Sequence, residues 1–271
     1  MKKILFIIAI SLLLSCTKQD NSIPFYIQID DIILDEDISE NINDAWVYVN
    51  DNPIGVYELP AKFPVLSDGK KEIKIKAGIK KNGISATRVF YPFYTTFSDS
   101  IFFIQDSIYT ITPIIKYSEN IDWNKVFVED FENPGMQFEN SGQNINSMQD
   151  TSRGNGKCGH IKLDTILPNC ETRTTILDLP KGSEIYLEMD YKSENTSFIV
   201  GLQSNYINDT VKDPVIDIFP KTEWNKIYID LSSVVSSKIN AASFQIYIYA
   251  EKPSSSISRS LYIDNFRIIY L

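Results

Sequence analysis

The sequence predicts an all-β protein, and three observations carry that expectation. Tyr and Phe number 15 each among 271 residues and stand beside abundant Ile, residue types that suit pleated, half-buried surfaces. No long stretch carries apolar residues at helical spacing. Short alternating runs recur instead, punctuated by Gly, Pro, Asn and Asp. These runs form two blocks separated by a polar stretch at residues 117–124, so two β-sandwich domains are expected, over 24–118 and 119–271.

The leader comes first. Lys2 and Lys3 followed by an apolar run to Leu14 make the charged and hydrophobic regions of an export signal, and the run is too short for a membrane-stopping span. It ends Leu13-Leu14-Ser15-Cys16, with an apolar residue three positions before a cysteine and a small one just before it. This resembles the lipobox of bacterial lipoproteins. The resemblance implies removal of residues 1–15, lipidation of Cys16 and a membrane held through that lipid; the alternative is an ordinary signal peptide with a chance cysteine. Residues 16–23 then read as a polar tether. Its Lys18-Gln19-Asp20 start resembles signals that send lipoproteins to the outer face of an outer membrane, so an outer-membrane protein facing the cell surface is expected over one facing the periplasm.

The formal net charge is -9, and losing Lys2 and Lys3 with the leader takes the remainder to about -11. That balance argues against nucleic acid, which needs a basic patch. Besides Cys16, Cys158 and Cys170 remain as an even pair in an exported chain. Residues 159–163 read as a strand and Pro168-Asn169 as a turn. A disulfide closing that hairpin is expected, the alternative being two buried thiols.

In the first block, residues 25–29, 45–49, 56–59, 72–79 and 107–115 read as strands. Asn82-Gly83, between 74–76 and 87–89, is a type I′ hairpin signal, because both residues tolerate positive φ. The order Val47-Tyr48-Val49-Asn50-Asp51, Ile54-Gly55, Pro60, Pro64 and Gly69-Lys70-Lys71-Glu72-Ile73 resembles Ig-like or PEGA-like sandwiches of exported bacterial proteins. That resemblance implies an Ig-like spacer or docking domain without catalytic residues. Residues 117–124 break the pattern as a linker or a shared edge.

In the second block, strands are expected at 126–132, 185–191, 198–203, 224–231, 244–250 and 261–270. Glu129-Asp130-Phe131-Glu132, Trp224-Asn225-Lys226-Ile227-Tyr228-Ile229-Asp230-Leu231 and Tyr262-Ile263-Asp264-Asn265-Phe266-Arg267-Ile268 resemble the galactose-binding-like jelly rolls of carbohydrate-binding modules. The resemblance implies a jelly roll that binds a glycan or serves adhesion and assembly. It also implies a structural calcium joining first and last strands, for which Glu129, Glu132 and Asp264 stand at matching ends.

His160 is the only histidine, so this chain builds neither a His-based triad nor a multi-histidine metal site. Paired carboxylates remain: glycoside hydrolysis needs two acids roughly 5 to 10 Å apart, and Glu188, Asp190 and Asp230 are candidates. Strand alternation assigns them instead to a solvated side opposite Leu187, Met189, Ile227 and Ile229. The same alternation places Tyr186, Glu188 and Asp190, then Trp224, Lys226, Tyr228 and Asp230, then Gln245, Tyr247 and Tyr249 away from the core. If these strands share a sheet, they present rings interleaved with carboxylates and an amide, the chemistry of sugar recognition. The competing expectation is that this face docks on the first domain. The function expected is therefore non-catalytic: a lipid-anchored envelope protein that binds a glycan or envelope polymer, or a docking subunit of an outer-membrane secretion, adhesion or uptake complex.

Overall fold

The computed structural model describes residues 23–36, 38–139, 144–150, 156–252 and 257–271. The leader, Cys16 and nearly all of the tether lie outside them.

The chain is all-β. Among the described residues ten strands form the first half: β1 (Phe25–Ile29), β2 (Ile33–Leu34), β3 (Asp44–Val49), β4 (Asn52–Glu58), β5 (Ala61–Val65), β6 (Gly69–Lys80), β7 (Arg88–Phe90), β8 (Phe97–Phe103), β9 (Ile108–Thr110) and β10 (Ile114–Ile115). One sheet runs β5-β1-β9, a small one pairs β10 with β2, and a third runs β4-β3-β6-β7 with β8 also on β6. Period-2 alternation drives the packing. Phe25, Ile27 and Ile29 on β1 and Ile73, Ile75, Ala77 and Ile79 on β6 meet in one core with Phe93 and Phe103. The run expected as one strand at 107–115 is two, because Pro113 has no N–H to continue a ladder; its carbonyl accepts from Ile33 N instead.

The second half holds β11 (Phe127–Glu129), β12 (Phe138–Glu139), β13 (Asn146–Asp150), β14 (Gly156–Leu163), β15 (Asn169–Thr174), β16 (Ile185–Ser193), β17 (Phe198–Asn205), β18 (Thr210–Ile218), β19 (Asn225–Asp230), a short helix α1 (Ser232–Ser237), β20 (Ser243–Glu251) and β21 (Arg259–Tyr270). They make two antiparallel sheets, β13-β14-β21-β16-β19 with β11 on β21, and β12-β15-β20-β17-β18. Successive strands pass back and forth between the two, as in a jelly roll. Leu187, Met189, Ile227, Ile229, Phe266 and Ile268 from the first sheet pack on Val200, Leu202, Phe244, Ile246 and Ile248 from the second.

One expectation fails here. Cys158 and Cys170 are not joined; both are buried thiols. The reason is topological: β14 and β15 are not a hairpin but belong to opposite sheets. Cys170 points into the core, whereas Cys158 alternates with Gly159 and Ile161 and faces the other way. Burial, with the nearby Glu171 charge, pushes the Cys170 thiol up to about 12. In the stretch expected as a linker or a shared edge, Tyr117 bridges to Tyr94, and Tyr117 and Ile121 are buried in the first core.

Candidate functional site

The two halves meet over the outer side of β16 and β19, and this is where most of the expected binding face goes. β16 and β19 pair with Tyr186 opposite Asp230 and Glu188 opposite Tyr228, so these residues do share a side. That side is covered. Tyr186, Glu188, Asp190 and Tyr228 are each at most 5% exposed, and Tyr186 and Tyr228 belong to the core of the first half. An open glycan platform at these four positions is therefore excluded, and the docking expectation describes them.

The covering residues are specific. Tyr91 lies edge-on to Tyr186 at 5.3 Å and tilted against Tyr228 at 4.8 Å between ring centroids. Its hydroxyl donates to Glu188 Oε1 at 2.6 Å, and the Tyr117 hydroxyl donates to Glu188 Oε2 at 2.7 Å. Lys226 Nζ completes the cluster 2.8 Å from Glu188 Oε2, with both side chains essentially without solvent. Tyr94 and Tyr228 hydroxyls meet at 3.0 Å. Burial, and then the Glu188 charge, drives the phenols of Tyr91 and Tyr117 far above their ordinary value. At the rim, Ser39 Oγ and Asn265 Nδ2 donate to Asp190, and Lys81 Nζ lies 3.2 Å from Asp230. Burial of Asp230 is outweighed by hydrogen bonds from Ser232 and Lys81, which leave its carboxyl below the usual range.

The Asn82-Gly83 turn belongs to this contact. Both residues have positive φ, 57° and 65°. It does not close a two-residue hairpin, since Lys80 pairs with Arg88. The turn extends instead onto β19: Asn82 N donates to Tyr228 O, and Asp230 N donates to Asn82 Oδ1, each at 2.8 Å.

Gln245, Tyr247 and Tyr249 lie elsewhere. They sit on β20, in the other sheet, so the expected common face is divided between two opposite sides of the sandwich. On this outer side the planar groups are linked. Arg173 donates through Nε to Glu139 Oε2 at 2.6 Å and through Nη1 to Gln203 Oε1 at 2.9 Å. Gln203 Nε2 donates to Gln245 Oε1 at 2.9 Å, and Gln245 Nε2 donates to Glu139 Oε1 at 2.8 Å, which closes the ring of contacts. The Arg173 guanidinium holds Glu139 below the usual carboxylate range. Beside this ring Tyr247 lies flat on β17, over Gly201: a Cβ there would come within 2.1 Å of the phenol ring, so only glycine admits the stacking. Lys212 Nζ lies 5.8 Å from the Tyr247 centroid and is paired with Glu171. Tyr249 is partly exposed and donates to Glu251 at 3.1 Å.

Sequence reasoning missed Glu139, Arg173, Glu171 and Lys212. Their strands β12, β15 and β18 carry weak apolar alternation: the inward positions of β15 include Thr172 and Thr174, and β18 contains Pro214. Pro214 was itself a signal, since proline within a strand marks an edge and β18 is the edge of its sheet.

The remaining candidates separate. Trp224 packs at 6.5 Å against Tyr262, which stacks on His160 at 4.8 Å. Burial lowers the His160 pKa, and its ring meets Ser260 Oγ at 3.0 Å. Glu129, Glu132 and Asp264 do not form a calcium site. Glu129 accepts from the backbone of Phe131 and Gln137, Glu132 from that of Lys157, and Asp264 from that of Asn265. Carboxylates each committed to backbone N–H groups are not a convergent oxygen cage. Among the described residues no group of three or more His, Cys, Asp or Glu is placed to hold a metal.

No protein-family model matches the chain, and comparison with characterised proteins finds no relative. Solved structures do show likeness. A carbohydrate-binding module of the β-sandwich superfamily aligns over 93% of this chain and 99% of its own at 10% identity, with a TM-score of 0.38. The module-bearing xylanase 10B of Clostridium thermocellum, solved with xylohexaose, aligns over 52% of this chain and 28% of its own at 12% identity and a TM-score of 0.39. A family 30 carbohydrate-binding module from a cellulase of the same organism aligns over 53% and 90%, at 12% identity and a TM-score of 0.34.

Proposed function

We propose that this chain is a lipid-anchored, non-catalytic protein of the cell envelope, and that its second sandwich binds a glycan on the outer side of the β12-β15-β20-β17-β18 sheet. The carrying observation is the closed ring in which buried Gln203 and Gln245 hold the partly exposed Glu139 and Arg173 in place, with buried Tyr247 and partly exposed Tyr249 beside them. Sugars present hydroxyls to planar polar groups and CH faces to rings. Held by one another, these side chains lose little further freedom on binding. Arg173 and Glu139 keep about a third of their side-chain surface exposed, which leaves donors and acceptors for a ligand. The carboxylates weighed for hydrolysis, Glu188, Asp190 and Asp230, are committed to the contact between the two halves.

A glycan array tests the reading. Wild-type protein should give a reproducible signal, and Arg173→Ala combined with Tyr249→Ala, which removes the partly exposed donor and ring of this side, should weaken it at least about tenfold, two lost contacts of roughly 1 kcal/mol each. Blank arrays for the wild type would sink it. The second reading, a docking subunit of an outer-membrane complex, draws on the first contact described: one outer side of this sandwich already serves protein packing through Tyr186 and Tyr228. Blank arrays together with Tyr249-dependent co-purification of a membrane complex would select it.

A further inference from the structure

We infer that the end of the first sandwich at which the chain enters it rests on the surface of a lipid bilayer. Register brings three chain segments together there. Phe25 opens β1 opposite Val65, the last residue of β5, so Ile23-Pro24 and Leu66 leave the same edge. β9 starts at Ile108, beside Tyr26, and Asp106 N donates to Pro24 O at 3.0 Å. β8 ends with Phe103 opposite Gly69, where β6 begins. The side chains at this end are apolar and unprotected: Ile23, Leu66, Phe102, Ile104 and Ile108 are each more than half exposed. Beside them opens a groove of about 710 Å³ lined by Pro24, Val49, Ile54, Pro64, Leu66 and Lys71, among others.

Such a concentration of exposed large apolar side chains marks a surface that is covered in use. The occupant follows from the chain itself, on the reading that Cys16 carries the lipid. Ile23 lies seven residues beyond Cys16, and seven extended residues reach at most about 25 Å. Whatever the tether does, this end is the one held nearest the bilayer. A face of large apolar side chains held that close to a bilayer buries itself at the boundary of headgroups and acyl chains, with a strength that scales with the apolar area covered. Lys70 and Lys71 at its rim are balanced by Asp68 and Asp106, so the attraction is apolar and insensitive to salt.

The test places a lipid-sensitive probe at two sites of the lipidated full chain, reconstituted in phosphatidylcholine vesicles. Ile104→Cys marks the apolar end and Ile207→Cys, on an exposed turn of the second sandwich, is the control; Cys158 and Cys170 are buried and escape labelling. Quenchers carried on the acyl chains should reduce emission at 104 by about half or more and leave 207 unchanged. Equal, unquenched emission at both sites in protein that still sediments with vesicles would overturn the inference and leave the anchor intact. Protection of 104 from an aqueous quencher without quenching from the lipid would also overturn it, since a protein then covers the end. Protein that fails to sediment would refute the anchor. In that case quenching at 104 under raised vesicle concentration still supports the apolar contact, and its absence overturns it.

Discussion

Glu188 shows what the contact between the halves demands of single residues. It is wholly buried and held by one ammonium and two phenol donors. Removing one partner of such a pair leaves the other charge without compensation in a dry site, a loss of about 3 to 5 kcal/mol, whereas replacing both with apolar groups is often close to neutral. Glu188→Gln should therefore lower stability by about 3 kcal/mol in urea titration. Lys226→Met should cost a similar amount, and the double variant should lose less than the sum by at least about 1 kcal/mol. Strict additivity would show that the pair is not coupled. The two thiols give a second residue-scale prediction. With Cys170 pushed up to about 12 and both sulfurs buried, neither should be alkylated in folded protein. Both should react once after unfolding without reductant, read by mass; a mass showing a bridge would refute the unjoined thiols.

At the scale of elements, the turn after β6 carries the attachment. Gly83 has a φ of 65°, and a Cβ there would meet Ile227 Cδ1 at 3.2 Å. Gly83→Val therefore combines left-handed strain of about 1 to 2 kcal/mol with crowding against β19, and a fall of about 2 kcal/mol in stability is expected. Gly83→Asn keeps a residue that accepts this φ and should lose less. Calorimetry of both variants separates strain from contact. Asn82-Gly83 was legible in the sequence as a turn, because its chemistry is local. Its seat on Tyr228 and Asp230 was not, because it joins residues nearly 150 positions apart. The same limit applies to the expected binding face. Period-2 alternation correctly groups Tyr186, Glu188 and Asp190 with Tyr228 and Asp230, and β16 and β19 pair as that grouping requires. Alternation says which residues share a side of a sheet and nothing of what covers it. Nor does it say which strands share a sheet, and so Tyr247 and Tyr249 turned out on the far side.

For the whole molecule, the shared core decides how it unfolds. Tyr186, Tyr228 and Ile269 of the second half pack within the apolar core of the first, so the first half does not complete its core alone. A single cooperative thermal transition is expected, and two separate calorimetric transitions would contradict it. The pH dependence follows from the phenols in the contact. Burial holds Tyr91, Tyr94, Tyr117 and Tyr228 protonated well above the ordinary tyrosine value of 10.0. In an unfolded chain they release their protons near pH 10. Above that pH the unfolded state binds fewer protons than the folded one, and stability falls as pH rises; below it, the full contribution of these groups is present. Alkaline titration should therefore show tyrosinate absorbance from the exposed phenols first, with the buried set ionising only together with loss of the fold. Tyr94→Phe removes one of these protons and leaves all three partners of Glu188 in place. It should make the alkaline decline shallower by close to one proton per molecule, and an unchanged slope would mean that Tyr94 ionises within the folded protein.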